Sequence, residues 1–452
     1  METGYFVSLA IFTTTYALFG LGLNLQWGFT GLINFGHIAF MTVGAYATVL
    51  LSSLGVPLVL ALGAGALLAG ILGLLIGLST LRLREDYLAI VTIGVSEVIR
   101  LIAVNEEWLT NGSRGVANYP LPLEQLDPSL PVKLGMIALL TLVVGVSVWQ
   151  LWQWLGRLPQ GTGGRWSTTG LRPSPSRAKF AFGGYALCLV ALEASLALAL
   201  AVQLSITLPA LVGGLLLFLI RTAIVLPAAV LGVFMVYGRF EHPWHQVRSQ
   251  ALATHLVLLV VTLILGLLLL IYVSGVVELY NYSYKAGLMW LLVLTVALVF
   301  WQLQRWVYSP WGRVLKAIRE DEEVAKALGK DVFRYKLQSL MIGGAIAGIA
   351  GAFYAWQLTF INPDGFIPLI TFQAWIIVVL GGSGNNIGTL LGAAIFWAYD
   401  ALTRFVLPGL VPLDDARLAA FRIMVIGLLL IVLMMWRPQG ILGKKEELTL
   451  GH

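Results

Sequence analysis

The sequence predicts an all-α protein, a polytopic transmembrane helical bundle with two pseudo-repeated halves that contain broken or re-entrant helices. Of its 452 residues, 59% are hydrophobic and only 11% charged, with a mean hydropathy of +0.88, whereas soluble domains are roughly a quarter charged. No Asp, Glu, Lys or Arg lies between Glu2 and Arg82, a gap several times the ~20 residues of one span. The apolar runs are continuous and rich in Leu, Ala and Gly, not the segments of about 10 alternating residues that mark barrel strands. These facts exclude a water-soluble enzyme, a disordered chain and a disulfide scaffold; the only cysteine is Cys188.

In chain order the expected spans are Tyr5–Leu25, Ile38–Leu54, Pro57–Thr80, Tyr87–Val104, Val132–Leu155, Gly183–Gln203, Leu208–Tyr237, Ala251–Ser274, Gly287–Gln302, Leu340–Gln357, Ile367–Leu380, Gly388–Val406 and Leu418–Trp436. The first lacks a basic leader and runs into further apolar sequence, so it reads as a retained span. Leu208–Tyr237 carries Arg221 and Pro227 and reads as either a kinked span or a re-entrant pair. The net charge of +6 is carried in short loops, the pattern of membrane orientation rather than of nucleic-acid binding. Arg82 and Arg84, the basic group from Arg157 to Lys179, eight basic residues from Arg305 to Lys336, and the tail with Arg437, Lys444 and Lys445 belong on the cytoplasmic side. Glu106, Glu107, Glu124, Asp127, Glu278, Asp364, Asp414 and Asp415 belong on the other. Thirteen spans then put the C-terminus inside and the N-terminus outside.

Glycines and amides, instead of charges, interrupt two of the apolar regions. One interruption is Asn24-Leu-Gln-Trp-Gly-Phe-Thr-Gly-Leu-Ile-Asn-Phe-Gly-His37, and the other lies within Thr371 to Gly388. Irregular backbone at membrane depth survives only where protein or a watery cavity satisfies it, and paired interruptions of this kind point to a transport path. Asn24, Gln26, Thr30, Asn34, His37, Gln373, Ser383 and Asn385 are the candidate path residues. Tight turns with small-residue helix packing are the competing reading. His37 in particular suits either a cavity or a bond to a neighbouring carbonyl.

The longest charged stretch runs from Ser309 to Lys336. Pro310 suits a first helical turn and Gly329 a helix end. Between them Trp311, Val314, Leu315, Ile318, Ala325 and Leu328 recur at three- and four-residue steps, which predicts one charged rod with an apolar stripe. That stripe must pack on this chain's own membrane face, on a partner, or on the bilayer interface.

Glu323-Val-Ala-Lys-Ala-Leu-Gly329 resembles the EAA loop of ABC-importer permeases, with Val324 in place of the first alanine. Gly312 to Asp321, Ala327-Leu-Gly329, Lys336-Leu337, Leu81 to Gly94, Asn24 to His37, Asn111-Gly-Ser-Arg-Gly115 and Leu380-Gly-Gly-Ser-Gly384 extend the likeness. Over roughly residues 15–135 and 290–440 the chain is similar to LivM-type permease subunits of bacterial branched-chain and neutral amino-acid ABC importers. The resemblance implies a subunit with no chemistry of its own in the inner membrane, paired with a second, LivH-like permease. Two cytoplasmic ATPase subunits would hydrolyse the ATP, and a periplasmic binding protein would deliver the amino acid. Arg319, Glu320, Glu323, Ala327 and Gly329 match the docking segment and would couple the ATPases to transport.

The organisation expected is an N-terminal transmembrane half at 1–150 and an insertion at 151–255, with a Gly/Ser/Pro-rich loop and extra apolar helices. Transmembrane helices at 256–303, a coupling segment at 304–338, a C-terminal half at 339–436 and a tail at 437–452 follow. Glu97 with Arg100 and Asp400 with Arg404 read as self-neutralised pairs before functional charges, and Glu193 with Arg221 as a bridge between the inserted runs. His242 and His245 lack the further ligands of a metal site. The chain has no phosphate-binding loop and no nucleophile motif, so neither catalysis nor a cofactor of its own is expected. A permease for urea or another small solute is the nearest alternative. An ion-coupled secondary transporter is a further one, but it would not need the docking stripe.

Overall fold

The computed structural model describes residues 2–81, 85–156, 271–410, 414–436 and 440–443. The chain divides into two compact units, Met1–Leu155 with Ile271–His452, and Gly156–Leu270. The runs Gly183–Gln203 and Leu208–Tyr237, most of Ala251–Ser274, and Cys188, Glu193, Arg221, His242 and His245 lie outside the described residues. So do Arg82, Arg84, and the tail's Arg437, Lys444 and Lys445.

The first unit is helical. It comprises α1 (Glu2–Leu23), a π-helical turn (Asn24–Phe29), α2 (Ile38–Ser53), α3 (Leu58–Thr80), α4 (Glu85–Asn105), α5 (Glu107–Thr110) and α6 (Leu130–Gly156). After a helical stretch at 271–281 come α7 (Tyr284–Val307), α8 (Pro310–Glu320), α9 (Glu322–Ala327), α10 (Val332–Leu358), α11 (Pro368–Gly381), α12 (Asn386–Leu410) and α13 (Asp415–Trp436). Among the described residues six helical segments are long and apolar enough to cross a membrane: Gly4–Phe29, Leu58–Thr80, Tyr87–Asn105, Tyr284–Val307, Val332–Leu358 and Pro363–Gly381.

Several helices reach beyond the apolar runs that predicted them, α7 and α10 the furthest. α7 continues to Val307 past Gln302, and α10 begins at Val332 instead of Leu340. A run read by apolarity stops at the first charge, whereas the backbone ladder continues wherever water or a side chain can serve the turn. Asp331 starts α10 in this way, accepting from the Arg334 amide at 3.2 Å.

The packing of α3 shows why it belongs in a bilayer. Ala61, Gly65, Ala69, Gly73 and Gly77 fall at four-residue steps and are buried, while Val59, Leu60, Leu67, Leu75 and Leu78 are exposed. Large apolar groups thus face lipid, and small residues face protein. Hydrocarbon gives apolar side chains no drive to leave it, so helices associate through close backbone approach. α3 lies against α10 and α2 through such contacts: Gly348 and Gly73 bring α10 against Ala69 and α3, Gly65 faces Thr48 and the Gly44 carbonyl of α2, and Gly44 in turn faces the Gly348 backbone.

One end of the unit carries a short antiparallel strand pair, β1 (Val116–Ala117) with β2 (Phe360–Ile361), registering Val116 with Ile361. The Asn111–Gly115 turn aims β1 at its partner. Asn111 donates to the Gly115 carbonyl at 2.7 Å, and Gly115, at φ +72°, lies so close to the Ile361 carbonyl that a Cβ would collide. Arg100 makes the bonds foreseen to Glu97, at 3.0 and 3.1 Å from Nε, and adds Asp364 at 3.5 Å. Asp400 pairs with Arg404 at 3.0 Å and with Arg422 at 3.6 Å. The acidic loops around Glu106 and Asp364 therefore share one end. At the other end α8 meets the Gly382–Asn385 turn through Arg319 and Ser383, and residues 441–442 bond to Leu380, Gly381 and Asn385. The charge pattern also separates these two described groups.

Candidate functional site

The two interrupted regions, more than 300 residues apart in sequence, meet inside the bundle. In the first, α1 widens into the π turn, a form that is rare and frequent at functional sites, and an irregular stretch over 30–37 leads back to α2. In the second, the break is only the short turn between α11 and α12, with Gly382 at φ +113° and Gly384 at φ +75°. The regions touch through Gly28, where a Cβ would strike both Asn24 Oδ1 and the Gly384 amide.

Buried amides and hydroxyls hold the join. Asn24 donates to Asn386 Oδ1 at 3.0 Å and accepts from the Gly384 amide at 2.9 Å. Gln26 donates to the Leu340 carbonyl at 3.1 Å and accepts from Asn34 at 2.9 Å. The Thr30 and Ser339 hydroxyls lie 2.7 Å apart, one donating to the other, and the Leu25 carbonyl, 3.0 and 3.1 Å away, accepts from the one whose hydrogen is left. His37 Nε2 meets the Phe19 carbonyl at 3.2 Å. The following Ile38 amide donates to Thr371 at 3.0 Å, and Trp375 donates to the Asn34 carbonyl at 3.1 Å. Asn24, Gln26, Thr30, Asn34 and His37 are all at most 1% exposed, and their bonds run to protein groups, while His37 Nδ1 and Asn386 Nδ2 have no hydrogen-bond partner among the described residues.

The C-terminal members sit differently. Asn385 caps α12, accepting from the Ile387 and Gly388 amides at 3.0 and 3.2 Å, and donates to the Leu442 carbonyl at 3.0 Å. Ser383 is half-buried and accepts from Arg319. Gln373 is half-buried too, and its Oε1 has no hydrogen-bond partner among the described residues. Asn386, Ser339, Thr371 and Trp375 complete the join. Nothing local in the sequence reveals a partner hundreds of residues away.

The charged segment from Ser309 to Lys336 is not one rod. It breaks at Asp321 (φ −156°, ψ 108°) into α8 and α9. Asp321 accepts from the Glu323 and Val324 amides at 2.9 and 3.0 Å, a helix N-cap followed by two acids that suit the new dipole. The expected stripe divides accordingly. Leu315, Ile318 and Ala325 are buried, the last two against Val332, Val314 and Tyr335. Leu328 remains 71% and Val324 54% exposed. Glu320, Glu323, Ala327 and Gly329 are exposed alongside them. A cleft of about 430 Å³ between Trp311, Gly329, Lys330, Arg334 and Tyr335 adjoins this uncovered face. Arg319 alone of the predicted docking residues turns inward, to the Gly28 carbonyl and Ser383.

Glu322 fastens α9 to α10 through Lys336, and Lys326 lies 3.2 Å from the same carboxylate. Burial raises the Glu322 carboxyl, but the hydrogen bonds and charges of Lys336 and Lys326 outweigh it and hold the group below its ordinary value of 4.5. A depressed carboxylate stabilises the fold fully above its unfolded pKa and loses that contribution as pH falls through the folded one. Amide exchange across Glu322–Ala327 is therefore expected to be unchanged from about pH 8 to about pH 6 once corrected for intrinsic rate, and to accelerate near pH 3. Exchange in α9 that is as slow at the acid end would show that this pair does not hold the helix.

Interrupted membrane helices joined at their breaks, and clasped at one end by a bent amphipathic segment, define a membrane transport component. Residues 5–154 and 177–434 match the family described as branched-chain amino acid transport system / permease component, and the chain belongs to that family. The chain is similar to the high-affinity branched-chain amino acid transport permease LivM of Escherichia coli K12, at 24% identity over 442 residues, 96% of this chain and 69% of the relative. It is also similar to the probable LivM of Methanocaldococcus jannaschii, 30% identical over 166 residues, 35% of this chain and 47% of that one. A third relative is LivH of Escherichia coli K12, 31% identical over 140 residues, 31% of this chain and 42% of the relative. No solved structure matches it. The internal residues that the family match skips, 155–176, include the Gly/Ser/Pro-rich loop, and the match resumes over the apolar runs that follow.

Proposed function

We propose that this chain is the translocation subunit of a binding-protein-dependent, ATP-driven importer of neutral and branched-chain amino acids. It works beside a second, LivH-like permease in the inner membrane and receives its solute from a periplasmic binding protein. Two cytoplasmic ATPase subunits hydrolyse the ATP, and this chain holds none of it. The observation that carries the reading is the face of α9. Val324, Leu328, Glu323 and Ala327 stand uncovered at the end where α8 clasps the membrane breaks. A segment that has buried its inner stripe on its own chain and still exposes a second apolar patch fits a protein partner better than a bilayer surface.

The test is to co-express the chain with the second permease and the ATPases and to follow amino-acid uptake. Glu323→Lys reverses a charge on a side chain that is 84% exposed. Gly329→Pro removes an amide that donates to Lys326 at 2.9 Å and demands φ near −65° where the chain holds +74°. Each variant is expected to lower uptake by about tenfold or more, equivalent to roughly 1.4 kcal/mol of lost interaction, with membrane insertion unchanged. Normal uptake in both would remove the docking assignment. Uptake driven by an ion gradient through this chain alone would replace the importer with a secondary transporter.

A further inference from the structure

We propose that Arg319 is a positioning residue that transmits movement of α8 to both interrupted regions at once, with the π turn as the hinge. Within the importer read above, on which this inference rests, Arg319 is thus not an ATPase contact. Its guanidinium donates to the Gly28 carbonyl in the π turn and, from Nη2 at 3.4 Å, to Ser383 in the turn between α11 and α12. Gly31, at φ +82°, lets the chain lie along the arginine stem, with a Cβ site 3.6 Å from Arg319 Cα. One turn earlier on α8 the Lys316 ammonium stands 5.6 Å from the centre of the Phe29 ring. Two cations of α8 therefore grip the end of the same π turn.

The chemistry of a helix end explains the grip. The last carbonyls of a helix lack partners within it. Here Trp27 O accepts from the Gly31 amide and Gln26 O from the Leu32 amide, both at 2.9 Å, while Leu25 O is served by the Thr30–Ser339 hydroxyl pair. Gly28 O is served from outside the segment, by Arg319, and a cation at a helix C-terminus is favoured by the dipole. A planar fork reaches two acceptors that belong to different segments, which the point charge of a lysine does not do. Arg313, Ala317 and Glu320 on α8 are exposed, so a push on that face moves the clasp and both turns joined to it.

The experiment uses the complete complex in liposomes, measuring ATP hydrolysed per amino acid taken up for the wild type, Arg319→Gln, Arg319→Lys and Ser383→Ala. For Arg319→Gln the ratio is expected to rise about tenfold, within the range of site-to-site couplings, with the ATPase subunits still co-purifying and hydrolysis retained. Arg319→Lys and Ser383→Ala, each keeping one arm, are expected to raise it by a smaller factor. An unchanged ratio in Arg319→Gln overturns the proposal, as does loss of the ATPase subunits from that variant, which would make Arg319 a docking contact. Should Arg319→Gln fail to accumulate, an unchanged ratio in Arg319→Lys overturns it equally. A wild-type chain that retains no ATPase overturns the importer reading itself, and this inference with it.

Discussion

Gly44→Val is expected to abolish folded protein in the membrane, whereas Gly63→Val, on a helix packed against the same face, leaves the yield unchanged. A Cβ on Gly44 would fall inside the backbone of Gly348, while nothing lies within 4 Å of one on Gly63. The obstacle at Gly44 is main chain, so no rotamer change relieves it, and α2 must move away from α10. Overpacking a soluble core costs about 1–3 kcal/mol because the other contacts survive. Here the helices are held by the approach that the substitution prevents, with no hydrophobic drive to replace it, so the effect exceeds that range. Size-exclusion profiles of the two variants in mild detergent provide the comparison. A monodisperse Gly44→Val peak at wild-type height would contradict the packing described.

The second large effect is expected from Asn24→Leu. The side chain is fully buried and of similar size to leucine, so shape is conserved, while the Gly384 amide and the Asn386 amide oxygen lose their partner. An orphaned buried polar group costs about 1–3 kcal/mol, although interhelical hydrogen bonds in membranes average only ~0.6 kcal/mol where the unfolded chain finds substitutes. The Gly384 amide sits on a tight turn against Gly28, with no room to find one. The upper figure therefore governs, and the thermal midpoint of the complex should fall by several degrees. Adding Asn386→Leu should restore part of the loss, because one of the orphans then disappears. Strict additivity of the two substitutions would show that they are not coupled.

Much of this architecture is legible in the residues. Charge-free runs mark the helices, and among the described residues the acidic loops and the basic 305–336 segment fall at different ends. Gly and amide side chains between Asn24 and His37 announce an interruption, but the same residue types serve an aqueous path or a self-satisfied join. What distinguishes the two is the distance to Leu340, Ser339 and Asn386, which no local pattern carries. The break at Asp321 has a signature in hindsight, a capping residue followed by two acids. A stripe counted from Trp311 to Leu328 runs straight across it, because three- and four-residue steps do not register a change of axis. Arg319 shows the same limit. Its place among the docking residues follows from likeness in sequence, and its direction follows from the fold.

The unit is sutured at opposite ends. β1 with β2 and Arg100 with Asp364 stitch its N-terminal to its C-terminal portion at one mouth, and Asn24 with Gly384 and Asn386 does so at the other. A channel opened between these portions would have to undo both seams in every cycle. A channel along the outer wall of the unit, completed by another polypeptide, would leave them intact. Movement at the π turn would then shift one wall of such a channel while both seams stay closed.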